Sequence, residues 1–502
     1  METQYEPSRD RVQLVASTGD ISARFPTLSK TRNGEGGFTK PRDGILDYLE
    51  SAQWTADGTT LLTYSSTDLV SGYIVPEDLL STGDELTLKS QTYIQLPEPS
   101  NVLSGAPYFS LAEPWTQQLL VSTRDHPIQL FHLTPSPSPT PANSHLPLSS
   151  YYFTKARSET FLTATSLLWQ SPGSHFIAGN RSLLARFDIL RTGEEPVARI
   201  RTIPSERHLS KGGGVGMRGT VSALGEQPMD TGNSASLVAA GTWTRWVGLY
   251  DFAQAGECIA TWGIANAVQE TATHEKMSGN NNGGRGEHPD GIGGDGITQT
   301  IWSPCGRYLV ICERKSRGAL LYDVRVTGKL LGHLTGRDAL GNQRVTCDVF
   351  PGAGESSSFE LWSGTSSGIV KVWEGIGSLE GSHAPAWEWA AHQSTVGSAC
   401  LHPSGTVVAT CAGSWEFPDE DDDPSDSSSL SSGDQSLGSD SEGGNDDSED
   451  GDNSERDSES ERVGGRIPWM HRRNKESSLK IWSVTGPPSK REGSLSEPRS
   501  DS

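Results

Sequence analysis

The sequence predicts an all-β fold, a seven-bladed β-propeller, on three observations. First, seven short runs close with an aromatic residue and usually an acidic one. They are Ser71-Gly-Tyr-Ile-Val75, Gln129-Leu-Phe-His-Leu133, Ala185-Arg-Phe-Asp-Ile189, Val247-Gly-Leu-Tyr-Asp251, Leu320-Leu-Tyr-Asp-Val324, Val370-Lys-Val-Trp-Glu374 and Leu479-Lys-Ile-Trp-Ser483. Second, each ends a segment of about 50 to 70 residues, save for one longer interval at the end, which is the scale of a repeated strand-rich unit. Third, apolar and polar residues alternate ahead of these runs, with turn residues between, as four-stranded antiparallel blades require.

The unit is clearest in blade five. Ile297-Thr-Gln-Thr-Ile-Trp-Ser-Pro304 alternates, Cys305-Gly-Arg307 turns, and Tyr308–Cys312 makes a second strand. Glu313–Gly318 is then expected as a loop, Ala319–Val324 as the third strand and Gly328–Leu334 as the outer one. The same order recurs in blade one (Trp54–Gly58, then Thr60–Tyr64), blade three (Leu168–Gly173, then Phe176–Gly179) and blade seven (Leu401–Gly405, then Val407–Ala412). The last unit stops at its third strand, residues 478–485, so its outer strand must come from elsewhere. The N-terminal arm, residues 1–40, is the natural donor through roughly Asp10–Phe25, and clasping the two ends removes an exposed edge. Blades one to seven then occupy 41–415 and 478–485, with an insertion at 416–477 and a tail at 486–502.

Hydrophobic content is 33% over 502 residues, low for a compact globule, which implies that part of the chain does not fold. The insertion is that part. Residues 416–461 hold 19 acidic side chains against one arginine, set among serine and glycine, a composition that predicts disorder. Without them the formal net charge moves from −22 to −4, so the acidity says little about the folded body. The first 30 residues lack an apolar run and the longest apolar stretches are strand-sized, so no targeting or membrane segment is expected. Six cysteines (258, 305, 312, 347, 400 and 411) form no C-x-x-C pair and read mostly as buried free thiols of a cytosolic or nuclear chain. His471-Arg-Arg-Asn-Lys475 reads equally as an aid to nuclear import or as a solvated approach to a strand.

Motifs that would imply chemistry fail on their context. Gly364-Thr-Ser-Ser-Gly368 matches a nucleophile elbow, which needs strand, turn and helix; here the strand Ile-Val-Lys-Val-Trp follows. Gly212–Gly216 and Gly279–Gly296 are glycine-rich but lack G-K-[ST] and a following helix. His288 and the other histidines lack ligand spacing, so no metal is expected. Pro-Ser-Pro-Ser-Pro-Thr-Pro (135–141) reads as a linker between blades more readily than as a ligand for an aromatic groove. No acid, base and nucleophile assemble, so the expectation is a non-enzymatic protein with no cofactor and no small-molecule substrate.

The repeats resemble WD repeats, with Tyr-Asp, Phe-Asp, Trp-Glu and Trp-Ser in place of Trp-Asp. More narrowly, the chain resembles the telomerase Cajal body protein family from about Gly44 to Val484. The stretches that carry this are Asn342-Gln-Arg-Val-Thr-Cys-Asp-Val349, Trp362-Ser-Gly-Thr-Ser-Ser-Gly-Ile-Val-Lys-Val-Trp373, Thr123-Arg-Asp-His-Pro-Ile-Gln-Leu-Phe131 and Gly179-Asn-Arg-Ser-Leu-Leu-Ala-Arg-Phe187, with an acidic insertion in the last blade. The N-terminal arm is short beside animal members, and long Gly/Asn-rich loops replace shorter ones. The resemblance implies a nuclear, RNA-associated protein. Fungal members of the family point to pre-mRNA splicing through small nuclear ribonucleoproteins, animal members to binding of hairpin loops in small Cajal body and telomerase RNAs.

In a WD-type propeller the loops from second to third strand, and from fourth strand to the next blade, share one face. On that geometry Arg124, Arg181, Arg245, Arg314, Lys315 and Arg317 come together with Arg207, His208, Lys211, Arg218, Arg337 and the triplet Asn342, Gln343, Arg344. Trp243 and Trp246 bracket Arg245. Cations beside aromatic planes suit single-stranded RNA, so Arg124, Arg181, Arg245, Trp246, Lys315, Arg317, Asn342, Gln343 and Arg344 are the candidate contacts. Ordinary loop charges, some paired with Asp125 or Glu313, are the competing reading. The insertion interrupts another second-to-third loop and is expected on the same face, where it either screens non-specific RNA or merely solubilises. Ser439, Ser454 and Ser458 each have an acid three residues on, a pattern that suits phosphorylation and a deeper charge. The expected partners are small nuclear RNA or its bound proteins, the expected state a monomer, and a pure protein scaffold the rival function.

Overall fold

Each strand-rich unit folds as an antiparallel sheet whose two faces are both apolar, so it buries itself only between neighbours. The computed structural model describes residues 11–21, 47–81, 83–133, 146–211, 215–228, 237–267, 292–352, 358–377, 380–415 and 475–484. These form seven blades. From the inner to the outer strand, blade one is Leu49–Trp54, Thr60–Ser65, Leu69–Ile74 and Thr92–Gln95; blade two is Ser100–Gly105, Gln118–Thr123, Ile128–His132 and Ser149–Tyr151. Blade three is Ser166–Trp169, His175–Asn180, Leu183–Asp188 and Ala198–Arg201; blade four is Val221–Glu226, Leu237–Thr242, Trp246–Asp251 and Glu257–Gly263. Blade five is Ile297–Trp302, Tyr308–Glu313, Ser316–Asp323 and Leu330–Ala339; blade six is Cys347–Pro351, Phe359–Gly364, Ile369–Ile376 and Trp387–Ala390. Blade seven is Val396–Leu401, Val407–Ala412 and Ser478–Val484, closed by Val12–Ser17.

The clasp therefore forms as the missing fourth strand requires. Val12–Ser17 runs antiparallel to the last strand, with Leu14 opposite Trp482 and Ala16 opposite Ile481. Thr18 and Leu479 exchange two hydrogen bonds of 3.0 Å, and the Ser477 amide donates to Asp20. Farther along, Arg11 donates to Glu374 of blade six and lies over the ring of Trp387.

Polar side chains stitch every seam between inner regions of adjacent blades. The Ser100 amide donates to Tyr64, the Ala164 amide to Ser122, Ser166 to Val221 O, and Ser222 to Ile297 O. Gln299 both donates to and accepts from the Cys347 backbone, Thr346 shares a hydrogen bond with Ser398, and Ser398 accepts from the Ala52 amide. All seven seams are thereby tied.

Blade five departs from expectation in two respects. Its second turn is only Arg314–Lys315, because Glu313 and Ser316 already belong to strands; and its outer strand runs on to Ala339. The loop into blade four contains a short helix, Glu206–Lys211. Gly364–Gly368 is a strand-to-strand turn in which Gly368 has φ +84° and packs so closely on His392 that a Cβ would meet its carbonyl oxygen at 2.1 Å. Of the cysteines, Cys312, Cys347 and Cys411 are buried, whereas Cys258 and Cys305 are exposed.

The insertion through residue 474, with Ser439, Ser454 and Ser458, lies outside the described residues, as do the tail from 485 and most of the N-terminal arm. The folded chain resumes at Lys475, so Glu476 and Ser477, placed in the insertion by their sequence neighbourhood, belong to the propeller. Glu476 accepts from the Gln393 amide and meets buried His392 at 3.1 Å; His392 in turn contacts Thr410, which accepts from Trp482 Nε1. Lys480 completes the group, 2.8 Å from Glu476. Burial alone would raise the Glu476 pKa, but hydrogen bonds from His392, Lys480, Ser478 and the Gln393 amide outweigh it and hold the group well below the usual carboxylate range. Burial lowers the His392 pKa from its ordinary value, the Glu476 contact opposing it.

Both shifts act in one direction. With each folded pKa below its unfolded value, the stabilisation is fully present at neutral pH and is lost as pH falls, first below the ordinary histidine range and then below the carboxylate range. Glu476→Gln is expected to cost about 2 kcal/mol at pH 7 and to flatten the acid limb of the stability curve. Urea unfolding of both proteins between about pH 7 and pH 3 checks this; parallel acid limbs would refute it.

Candidate nucleic-acid interface

The turns from second to third strand repeat one geometry. Asp68, Asp125, Ser182, Arg245 and Lys315 all sit at left-handed φ between 53° and 64°, and Gly368 takes the corresponding place in blade six. The turns of blades three to six are each tied to a neighbouring loop. The Ser182 amide donates to Gly219 O, the Trp243 amide to Thr220 O, and the Arg314 amide to Gly296 O. Thr244 donates to Arg218 O and Thr395 to Ser366 O. These contacts join the turns and the interblade loops into one face.

The candidate residues divide on this face by what they touch. Arg124 and Arg181 are exposed at the turns of blades two and three. The backbone of Arg181 is pinned opposite Thr220, and Asp125 is exposed beside Arg124. Lys315 is exposed and pairs with Asp295 at 3.0 Å, an open contact that holds it weakly. Arg317 is exposed as the second residue of the third strand of blade five, and Asn342 is exposed in the loop leading to blade six. Around blade four, Arg207 and Lys211 are exposed on the short helix, and Arg218 donates to His208 O.

The remaining candidates hold the structure together. Arg245 reaches from blade four to Glu313 of blade five with two hydrogen bonds, 2.6 and 3.1 Å. Glu313 is only 2% exposed; burial pushes its pKa up while Arg245 pulls it down. Trp246 is half-buried and packs on the core between blades three and four, leaving Trp243, 45% exposed, as the surface aromatic of this turn. Gln343 donates to Gly413 O at 2.9 Å. Arg344 crosses the channel, its guanidinium donating to Thr165 O of blade three at 3.3 Å and Ser222 O of blade four at 3.5 Å. Burial lowers the Arg344 pKa from the ordinary arginine value, with Glu50 of blade one opposing. Arg337 is not a loop charge: it is 1% exposed within the extended outer strand and donates to Glu313 O and Val345 O.

The cations are not spread evenly. Blade one carries Asp47, Glu50 and Asp68 on this face; burial raises the pKa of Glu50, with Asp68 and Asp47 adding to it, and burial raises that of Asp68, with Glu98 and Asp47 adding to it. Blade six contributes Glu388, and Asp338 at the end of blade five joins it around Lys371. The exposed candidate cations Arg124, Arg181, Lys315 and Arg317 lie on the arc from blade two to blade five, and Lys475 is exposed where blade seven resumes. Among the described residues no group of three histidine, cysteine or acidic side chains is placed to hold a metal ion, and no helix is long and apolar enough to cross a membrane.

No family model matches the chain. Telomerase Cajal body protein 1 of Bos taurus is 24% identical over 377 residues, 74% of this chain and 59% of the relative. Its Homo sapiens counterpart is 23% identical over 407 residues, 80% of this chain and 63% of its own length. Guanine nucleotide-binding protein negative regulator 1 of Schizosaccharomyces pombe is 25% identical over 350 residues, 69% of this chain and 74% of the relative. The likeness to telomerase Cajal body proteins thus extends along most of the chain, a fungal protein matches at the same level, and the chain spans about three fifths of the mammalian relatives.

Arg245 and Glu313 make a separable energetic claim. Arg245→Ala strands a buried carboxylate and is expected to cost about 3 kcal/mol in urea unfolding. Adding Glu313→Gln should recover more than half of that loss. Additive losses in the double-mutant cycle would show that the pair is not coupled.

Proposed function

We propose that this WD-repeat propeller is a nuclear, non-enzymatic RNA-binding protein that associates with small nuclear ribonucleoproteins and serves pre-mRNA splicing. Its ligand class is the unpaired segment of a small nuclear RNA, of the small Cajal body or telomerase type. The observation that carries the reading is the arc of exposed cations, Arg124, Arg181, Lys315 and Arg317, on one face of blades two, three and five. The words "telomerase" and "Cajal body" in the relatives' names support the RNA side and the nuclear setting.

The mechanism is binding. Arginine forks at Arg124, Arg181 and Arg317 make paired hydrogen bonds to phosphate oxygens and so fix the register of the strand. Lys315 adds a point charge once phosphate displaces Asp295. Asn342, with an amide donor and acceptor, is suited to a base edge. Arg245, Gln343 and Arg344 support the face from below through Glu313, Gly413 and the inner backbone.

Direct binding through several cations must weaken steeply with salt. The expected result is that the full chain binds a single-stranded RNA of about 12 nucleotides, with affinity falling by more than tenfold between about 50 and 200 mM salt. The triple variant Arg124→Glu, Arg181→Glu, Arg317→Glu should lose most of that affinity and show a shallower salt slope, with unchanged unfolding. Denaturing crosslink recovery of small nuclear RNA from cells should fall in parallel. Co-purifying ribonucleoprotein components with no crosslinked RNA would instead make the protein an adaptor that touches only proteins.

A further inference from the structure

Trp243 is out of place as a packing residue. Among the described residues only Trp115 and Trp243 count as exposed tryptophans, at 66% and 45%. Trp115, between the first two strands of blade two, is on the opposite face and stacks with Tyr108 at 6.4 Å. Trp243 is in the turn of blade four and has no ring contact among the described residues.

The turn that presents it is rigid. The Trp243 amide donates to Thr220 O, and the Arg245 amide closes the turn on Thr242 O. Gly296, at φ +140°, packs so tightly that a Cβ would come within 2.7 Å of Trp243 O and 2.9 Å of its Cα. Arg245 is then locked to Glu313. Two arginines are tied to this turn from the seam with blade three: Arg181 pairs with Thr220, whose carbonyl holds the Trp243 amide, and Thr244 donates to the backbone of Arg218. An indole costs little conformational entropy to present and offers a wide apolar plane, which a nucleobase covers while its phosphates reach the cations.

We propose that Trp243 is the stacking platform of this face and binds one unpaired nucleobase, with the adjoining phosphate running toward Arg181 and Arg218 at the seam with blade three. The inference rests on the RNA-binding reading above and deepens it: the arc takes a single strand with a base laid flat on blade four. Trp246, which shares the turn, does not compete, because its ring packs on the core.

The test uses fluorescein-labelled oligouridylate of about 12 nucleotides and full-length protein, read by anisotropy across a salt series. Trp243→Ala is expected to weaken binding about tenfold with the salt slope unchanged, because stacking releases no counterions. Trp243→Phe should restore most of the affinity, and both variants should unfold like the parent protein. Binding by Trp243→Ala within about twofold of the parent would overturn the stacking role while leaving the cation arc standing. No binding of the probe by the parent at low salt would overturn both.

Discussion

The structure depends on closing a ring whose two ends are almost the whole chain apart. Seven sheets with apolar faces are stable only if the first and last also meet, and that meeting is the pairing of Val12–Ser17 with Ser478–Val484. Ala16, Leu479 and Ile481 at this junction are fully buried, joined there to the core of blade one. A contact with this sequence separation is entropically costly to form and so completes late, after locally connected hairpins have formed. The ring of Ser, Thr, Gln and Tyr side chains at the seams then satisfies inner-strand groups that no ladder can reach.

The same economy explains how blade seven tolerates a long interruption between its second and third strands. Loop-closure cost grows only with the logarithm of length, so a long segment adds little once its ends are fixed. Those ends are fixed firmly. Gly413 bonds to Thr395 on one side, and on the other Glu476 and Ser477 are anchored by His392, Gln393, Asp20 and Leu49. A change in the length of the sequence 416–474 therefore costs little at the strand that follows.

Much of this was legible before any coordinates. Alternation and spacing located all seven third strands, because a blade's strand period is a local property. The division of labour on the loop face was not legible, because it depends on partners distant in sequence. The sequence offers Glu313 as a partner for these loop charges without saying that Arg245 takes it, and nothing near Arg344 announces Thr165 and Ser222 on other blades. Arg337 looked like a loop charge because the outer strand of blade five continues past Leu334, where the sequence offers Thr-Gly rather than a further apolar run. Trp243 and Trp246 differ for a reason the sequence does contain: Trp246 opens the strand that continues Val247-Gly-Leu, whereas Trp243 precedes the left-handed residue of the turn.

The placement of Arg344 and Gln343 also bears on how the proposed ligand would approach. Arg344 and Gln343 occupy the region over the inner strands, bonded to carbonyl groups of blades three, four and seven. A strand of RNA threading the channel would have to displace a buried guanidinium and leave those carbonyls without a donor, at a cost of several kcal/mol. On the RNA-binding reading the carboxylates of Glu50 and Asp68 on blade one would disfavour phosphate in the opposite quarter. The proposed path then runs across the face, over the turns of blades two to five, where Arg124, Arg181, Lys315 and Arg317 are exposed. On the proposed RNA-binding reading, a centre closed by Arg344 leaves the turns as the approach, which a short unpaired loop fits better than the blunt end of a helix.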